Sequence, residues 1–170
     1  MSIRAVADAV GVTPPSIYRH FEDKNQLLFW VCKRSFDRFG AVMEEAVREG
    51  GPVDKLQSLF RAYVRYGVEH PEHYRIMFLA RYEVSDEQLV AEMLGDTSFT
   101  LLLDLVGELV DAGAVKPELA DRGETHVAYV LWSAVHGITS LFVAKPRLPW
   151  GDQDQLVGDV CAMILHGVLA

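Results

Sequence analysis

Cysteine is nearly absent from this chain of 170 residues. The two thiols, Cys32 and Cys161, have neither CxxC nor zinc-ligand spacing, which argues against a disulfide scaffold and a cysteine metal site. They suit buried thiols in a reducing cytoplasm. Strand-like alternation is also missing, so a sheet fold has no support. No G-x-S-x-G, P-loop, G-x-G-x-x-G or H-E-x-x-H sequence occurs. The acids are scattered over helix surfaces without an evident partner, so no catalytic residue or cofactor is expected. Met1-Ser2-Ile3-Arg4-Ala5-Val6-Ala7-Asp8 lacks the basic start and unbroken apolar stretch of a secretion signal. A cytoplasmic protein is expected.

Half the residues are hydrophobic and 24% are charged, the mix of a chain that buries a core rather than a disordered one. The net charge of -8 is unevenly spread. Residues 1–34 hold five bases (Arg4, Arg19, Lys24, Lys33, Arg34) against three acids (Asp8, Glu22, Asp23), whereas the rest holds 11 bases against 21 acids. A mildly basic head on an acidic body would meet any polyanion with the head. The expected division is a head over 1–34 and a body over 35–170.

Apolar residues recur at three and four throughout, which predicts an all-α protein. Ser2 is placed to cap a short helix carrying Ile3, Val6, Ala7 and Val10 inward and stopped by Gly11. Thr13 with Pro14 reads as an N-cap followed by proline at the first helical position. Asp23 and Gln26 have capping-box spacing and open a long helix. Along it Leu28, Val31, Phe39, Val42 and Ala46 track one face until Gly50-Gly51-Pro52. Val53, Leu56, Phe60, Tyr63 and Gly67 mark the next helix, which His70-Pro71-Glu72 ends and restarts. Ser85 and Gln88 lead into Leu89, Met93 and Leu94, with a break expected at Gly95-Asp96. Leu101, Leu102, Leu105 and Leu109 follow, closed near Gly113. Asp121 and Glu124 open another helix, and the last follows Pro149-Trp150-Gly151. Residues 127–144 contain no Asp, Glu, Lys or Arg, the lower limit for a membrane span. Ser133, His136, Thr139 and Ser140 interrupt the run, so it reads as the centre of a bundle or an oligomer interface and no membrane partner is expected.

The segment that carries function is Ser2 to Leu28. Two short helices joined at Ala9-Val10-Gly11-Val12 have helix-turn-helix proportions, with Val6, Val10, Ile17 and Phe21 as the apolar joint. Thr13, Pro14, Ser16, Tyr18, Arg19 and His20 remain on the outer face of the second. Hydroxyls, an arginine and a histidine there suit base edges and phosphates of a major groove. Lys24 is placed for a phosphate.

This run resembles the DNA-binding signature of TetR-family transcriptional regulators, carried by Gly11-Val12, Ser16-Ile17-Tyr18, His20-Phe21, Lys24 and Leu27-Leu28. The resemblance implies that Pro15, Ser16, Tyr18 and His20 meet double-stranded DNA, with Arg4, Tyr18 and Lys24 on phosphates. His70-Pro71-Glu72-His73-Tyr74-Arg75-Ile76-Met77-Phe78, with Trp132-Ser133-Ala134-Val135-His136-Gly137, is similar to a Trp-His-Gly class of effector domain in that family. Members of the family place a further helix before Ser2, completing the head. The natural chain is therefore expected to begin upstream, and the side of the joint bearing Val6, Val10 and Phe21 to be partly uncovered.

His70 and His73 lie at i and i+3, but nothing completes a ligand set, so no metal is expected. His136 reads as a hydrogen-bonded core histidine, and Gly137 as a place where another helix approaches closely. Tyr74, Phe78, Tyr82, Phe99, Leu102, Trp132 and His136 are the candidate lining of an effector site, although spacing does not separate a cavity from a filled core. Dimerisation is expected through Trp132 and Val135 on the apolar helix and Leu156, Val160, Met163, Ile164 and Gly167 on the last. The resulting expectation is a ligand-responsive repressor that binds a palindromic operator as a homodimer. The alternatives are a dimeric small-molecule-binding module with impaired DNA binding for want of the first helix and, more remotely, a small all-α enzyme.

Overall fold

A computed structural model describes residues 2–80 and 97–170, and their regular structure is helical. The expectations on Tyr82, Ser85, Gln88, Leu89, Met93, Leu94 and Gly95-Asp96 lie outside these residues. Helix α1 (Ile3–Val10) begins at Ser2, whose hydroxyl accepts from the Ala5 N–H at 3.2 Å. It ends at Gly11 with φ 71°, where a residue with a Cβ would be strained. Helix α2 (Pro14–Tyr18) starts with proline in its first turn. Thr13 occupies the N-cap position but makes no cap bond; its hydroxyl lies 3.0 Å from that of Ser16.

Ile3, Ala7 and Ile17 form a small core of their own, flanked by Val6, Phe21 and Leu27. Val10 is not part of the joint, being 64% exposed. An eight-residue helix shows one narrow stripe to its neighbour, and Ile3 and Ala7, one turn apart, fill it.

Helix α3 (Lys24–Ala46) is capped by Asp23, which accepts from the Gln26 N–H at 2.8 Å. The Gln26 side chain reaches back one residue further than a capping box requires, to the Glu22 N–H at 2.7 Å. Its inward face also differs from the sequence expectation. Ser35, Phe39, Gly40 and Met43 are buried, whereas Leu28 is half-buried and Val31 exposed. The first third of α3 extends beyond the body, so its apolar positions have less to pack against.

The main core joins α4 (Pro52–Glu69), α5 (Pro71–Tyr74), a π-helical turn (Arg75–Leu79), α6 (Thr97–Asp111), the short α7 (Pro117–Ala120), α8 (Glu124–Ala144) and α9 (Gln153–Val168) with the second half of α3. Asp121 does not open α8; it follows α7, and Gly123 with φ 91° is the N-cap. Helix α8 is long and apolar enough to cross a membrane. Here it packs against α4, α6 and α9, with Val127, Ala128 and Leu131 fully enclosed and Tyr129 and Leu141 left exposed. The close helix approach occurs at Gly67 rather than Gly137. A Cβ at Gly67 would stand 2.3 Å from Thr139 Cγ2, while one at Gly137 would meet nothing within 4 Å. Thr139 itself is fully buried, and its hydroxyl donates to the Val135 carbonyl at 2.7 Å. The C-terminus is tied down by Lys116, whose ammonium donates to the carbonyls of His166 and Gly167, and by an antiparallel bridge between Val115 and Leu169.

Candidate functional site

Two groups of candidate residues emerge, one on the head and one inside the body. On the head, Ile17 is the buried anchor of α2. Turning it inward leaves Thr13, Pro15, Tyr18, Arg19 and His20 exposed, with Pro14 and Ser16 half-buried beside them. Arg4 on α1 and Lys24 at the start of α3 are also exposed. Among the described residues the ion pairs are Arg48–Glu45 and Arg75–Glu72, so Arg4, Arg19 and Lys24 carry no acidic partner. The geometry is that of a short exposed helix with two hydroxyls, a phenol and an imidazole, framed by uncompensated cations. Such a surface has donors for phosphate oxygens and for base edges together.

Inside the body, Tyr74, Phe78, Phe99, Leu102, Trp132 and His136 lie in one core. The proline at the start of α5 and the π-helical turn after it set Tyr74 and Phe78 with ring centroids 4.9 Å apart, and Phe78 is 5.2 Å from the His136 ring. A widened helical turn of this kind is often retained where a side chain must be re-aimed. Tyr74 is fully buried, Phe99 and Leu102 nearly so, and Phe78, Trp132 and His136 are half-buried.

A hydrogen-bonded chain runs through the cluster. Trp132 Nε1 donates to the Tyr63 hydroxyl at 3.2 Å. The Tyr63 hydroxyl lies 2.9 Å from His136 Nδ1, and the Tyr74 hydroxyl lies 2.8 Å from the same nitrogen. Tyr74 also meets Ser140 Oγ at 3.1 Å and donates to the His136 carbonyl at 3.3 Å. Burial pushes the Tyr74 phenol up, opposed by its bonds to Ser140 and Tyr63, and burial pushes His136 down, toward the neutral imidazole. The sequence reading missed Tyr63 and Ser140. The sequence pattern gives Tyr63 only as one apolar position on an amphipathic stripe, and the signal it offers is that a buried tyrosine needs a partner for its hydroxyl.

Trp132 and Val135 do not form an outer face. Val135 is 4% exposed and Trp132 turns into the aromatic cluster. Helix α8 instead exposes Tyr129, Ser133 and Leu141. On α9, Val157, Cys161, Leu165 and Val168 face the body, which leaves Met163 and Gly167 exposed and Leu156, Val160 and Ile164 half-buried on the flank. His70 and His73 stack ring on ring at 5.5 Å, and the Tyr66 hydroxyl lies 3.3 Å from His73 Nδ1. Between head and body lies a cavity of about 250 Å³ lined by Phe21, Leu27, Trp30, Val31, Arg34, Ser35, Arg38 and His73.

Comparison with known proteins agrees with this layout. Residues 56–164 match the tetracyclin repressor-like C-terminal domain, and residues 1–31 match the bacterial regulatory proteins of the tetR family. The chain is 27% identical over 145 residues to the uncharacterized HTH-type transcriptional regulator YobS of Bacillus subtilis (strain 168), a match covering 85% of this chain and 69% of that one. Among solved structures, a protein of unknown function from Rhodococcus sp. RHA1 superposes with TM-score 0.78 at 26% identity, covering 100% of this chain and 86% of the other. A TetR family transcription regulator from Marinobacter aquaeolei VT8 shares the fold at 19% identity, with TM-score 0.74 over 99% of this chain and 85% of its own. With the head and most of the body both matched, the chain belongs to the TetR family and is a ligand-responsive, DNA-binding transcriptional regulator rather than an enzyme.

Proposed function

We propose that residues 1–34 are the DNA-reading head and 35–170 the effector and dimerisation body of a cytoplasmic repressor. The observation that carries this reading is the exposure of Thr13, Pro15, Tyr18, Arg19 and His20 around the buried Ile17, with Arg4 and Lys24 beside them and without an ion pair among the described residues. Helix α2 enters a major groove, Arg4, Tyr18 and Lys24 hold phosphates, and Pro15, Ser16 and His20 approach base edges. Two heads related by a twofold axis read a palindromic operator whose half-sites are about 34–36 Å apart or a multiple of that.

The dimer forms through the outer faces of α8 and α9, where Leu141 and Met163 are 51% and 68% exposed. A small molecule held near Phe78, Trp132 and His136 favours one head spacing over the other, and DNA affinity falls by the reciprocal factor. Helix α3 is the mechanical link. It begins in the head and packs in the body, and Phe21, Leu27 and His73 share the cavity at the joint.

The test is selection of a bound duplex from random DNA, followed by titration at several salt concentrations. A phosphate-tracking head gives log K falling with log salt at about -0.9 per neutralised phosphate. Lys24→Ala flattens that slope by about one phosphate, whereas Tyr18→Phe, which removes an uncharged hydroxyl, weakens binding at every salt concentration without changing the slope; both leave the preferred sequence unchanged. Binding without a sequence preference, or a slope unaffected by Lys24→Ala, rejects the assignment.

A further inference from the structure

The cavity of about 250 Å³ at the joint is lined by other residues than the aromatic cluster around His136. On α3 its lining residues Leu27, Val31, Arg34 and Arg38 fall at i, i+4, i+7 and i+11, one stripe down a single side of the helix. The stripe changes character along its length. Its first half is apolar, with Trp30 on α3 and Phe21 just before the cap adding to the wall. Its second half carries two guanidinium groups. Arg38 and His73, from α3 and α5, converge on Tyr66 of α4. The Tyr66 hydroxyl lies 3.3 Å from His73 Nδ1, and burial pushes its phenol up while the Arg38 charge opposes that rise. The cationic end of the cavity is therefore where α3 meets α4 and α5.

These two ends call for two kinds of chemistry in one ligand. Trp30 is 48% exposed and Val31 36%, large apolar surfaces left in water at the joint. Arg34 and Arg38 are exposed as well. A carboxylate set against them keeps part of its hydration and gains the forked N–H donors of a guanidinium. From Val31 to Arg34 and Arg38 the helix rises about 5 Å and 10 Å, the reach of a short spacer between a ring and an acid group. The volume is below the roughly 300–1,000 Å³ of pockets for larger ligands, so it suits a body of one ring. Arg34 and Arg38 stand about 15 Å and 21 Å along α3 from Lys24, far from the end of the helix assigned to phosphate.

We propose that the joint cavity is a second ligand site, taking an apolar monocarboxylate whose acid group is held by Arg34 and Arg38 and whose body lies against Leu27, Trp30 and Val31. It is additional to an effector held near Phe78, Trp132 and His136 and does not depend on one.

Equilibrium dialysis of the whole chain against three probes of nearly one shape tests it. They are 4-phenylbutanoate, 4-phenylbutanamide and 4-phenylbutylammonium, which carry negative, no and positive charge. The acid is expected to bind about tenfold tighter than the amide, with the amine weakest, and the acid loses its advantage when Arg34→Gln and Arg38→Gln are combined. Methyl NMR of the unsubstituted protein locates the site without a mutation: 4-phenylbutanoate is expected to shift Leu27 and Val31, and not Leu102 or Leu131 in the core of the body. Equal binding of acid and amide, an acid preference that survives the double substitution, shifts centred on Leu102 and Leu131, or no binding of any probe each overturns the proposal. Dialysis is repeated on a chain carrying residues upstream of Met1. Binding is expected to persist, and its loss would give the cavity to that segment and overturn the proposal. The operator titration uses no ligand, so failure there and failure here are separate results.

Discussion

Tyr63 shows how much one hydroxyl organises. It accepts from Trp132, approaches His136, and its ring stands edge-on to Phe39 at 5.1 Å and to Tyr74 at 6.1 Å. Tyr63→Phe keeps these ring contacts and leaves the Trp132 N–H without its acceptor, which costs about 1–3 kcal/mol; urea denaturation reads it, and an unchanged midpoint would deny the network a structural role. His136 supplies a pH signature. Burial lowers its folded pKa below the unfolded value of about 6.5, so as pH falls through that value the unfolded chain takes the proton first and stability declines. Above it this residue contributes no slope. The urea midpoint of His136→Asn should lose that part of the acid-side decline relative to the parent protein.

At the scale of elements, two helices meet where a glycine permits it. Gly67 on α4 faces Thr139 on α8 and the ring of Tyr74, leaving no room for a methyl group. Gly67→Ala is expected to destabilise by about 1–3 kcal/mol through overpacking. Thr139→Ser, which removes the 2.3 Å contact while keeping the hydroxyl bonded to Val135, restores part of that loss. Thermal denaturation of the two single variants and the double variant decides it, and simple additivity would show that the clash lies elsewhere. Helix α3 makes a complementary point. Its cap at Asp23 was legible because it is local, and Phe39, Val42 and Ala46 of the expected face do meet the core. The helix ends at Ala46 rather than at Gly50, however, and Ser35 and Met43 are buried where Leu28 and Val31 are not, since burial depends on which neighbours reach it.

At the scale of the whole molecule, the outer faces of α8 and α9 bear on pairing. Met163 at 68% exposed and Leu141 at 51% are costly to leave in water and lie on the outer sides of α9 and α8. Light scattering after size exclusion is expected to report a dimer for the parent chain and a monomer for Met163→Glu. A parent chain that stays monomeric at micromolar concentration rejects the proposed twofold operator. The cavity beneath Trp30 and Val31 lies between head and body, so a change of packing at α5 has a short path, through His73 and α3, to Phe21 and Leu27.

The helical class, the caps at Ser2 and Asp23 and the exposure of Thr13, Pro15, Tyr18, Arg19 and His20 around a buried Ile17 were readable from residue order, because helix periodicity and capping depend on near neighbours in the chain. The inward turn of Trp132 and Val135, the exposure of Val10, the close approach at Gly67 rather than Gly137, the convergence of Tyr63 and Tyr74 on His136, and the bond from Tyr74 to Ser140 were not. Each joins or separates side chains many residues apart, and helix packing alone sets which of several equally apolar faces is enclosed.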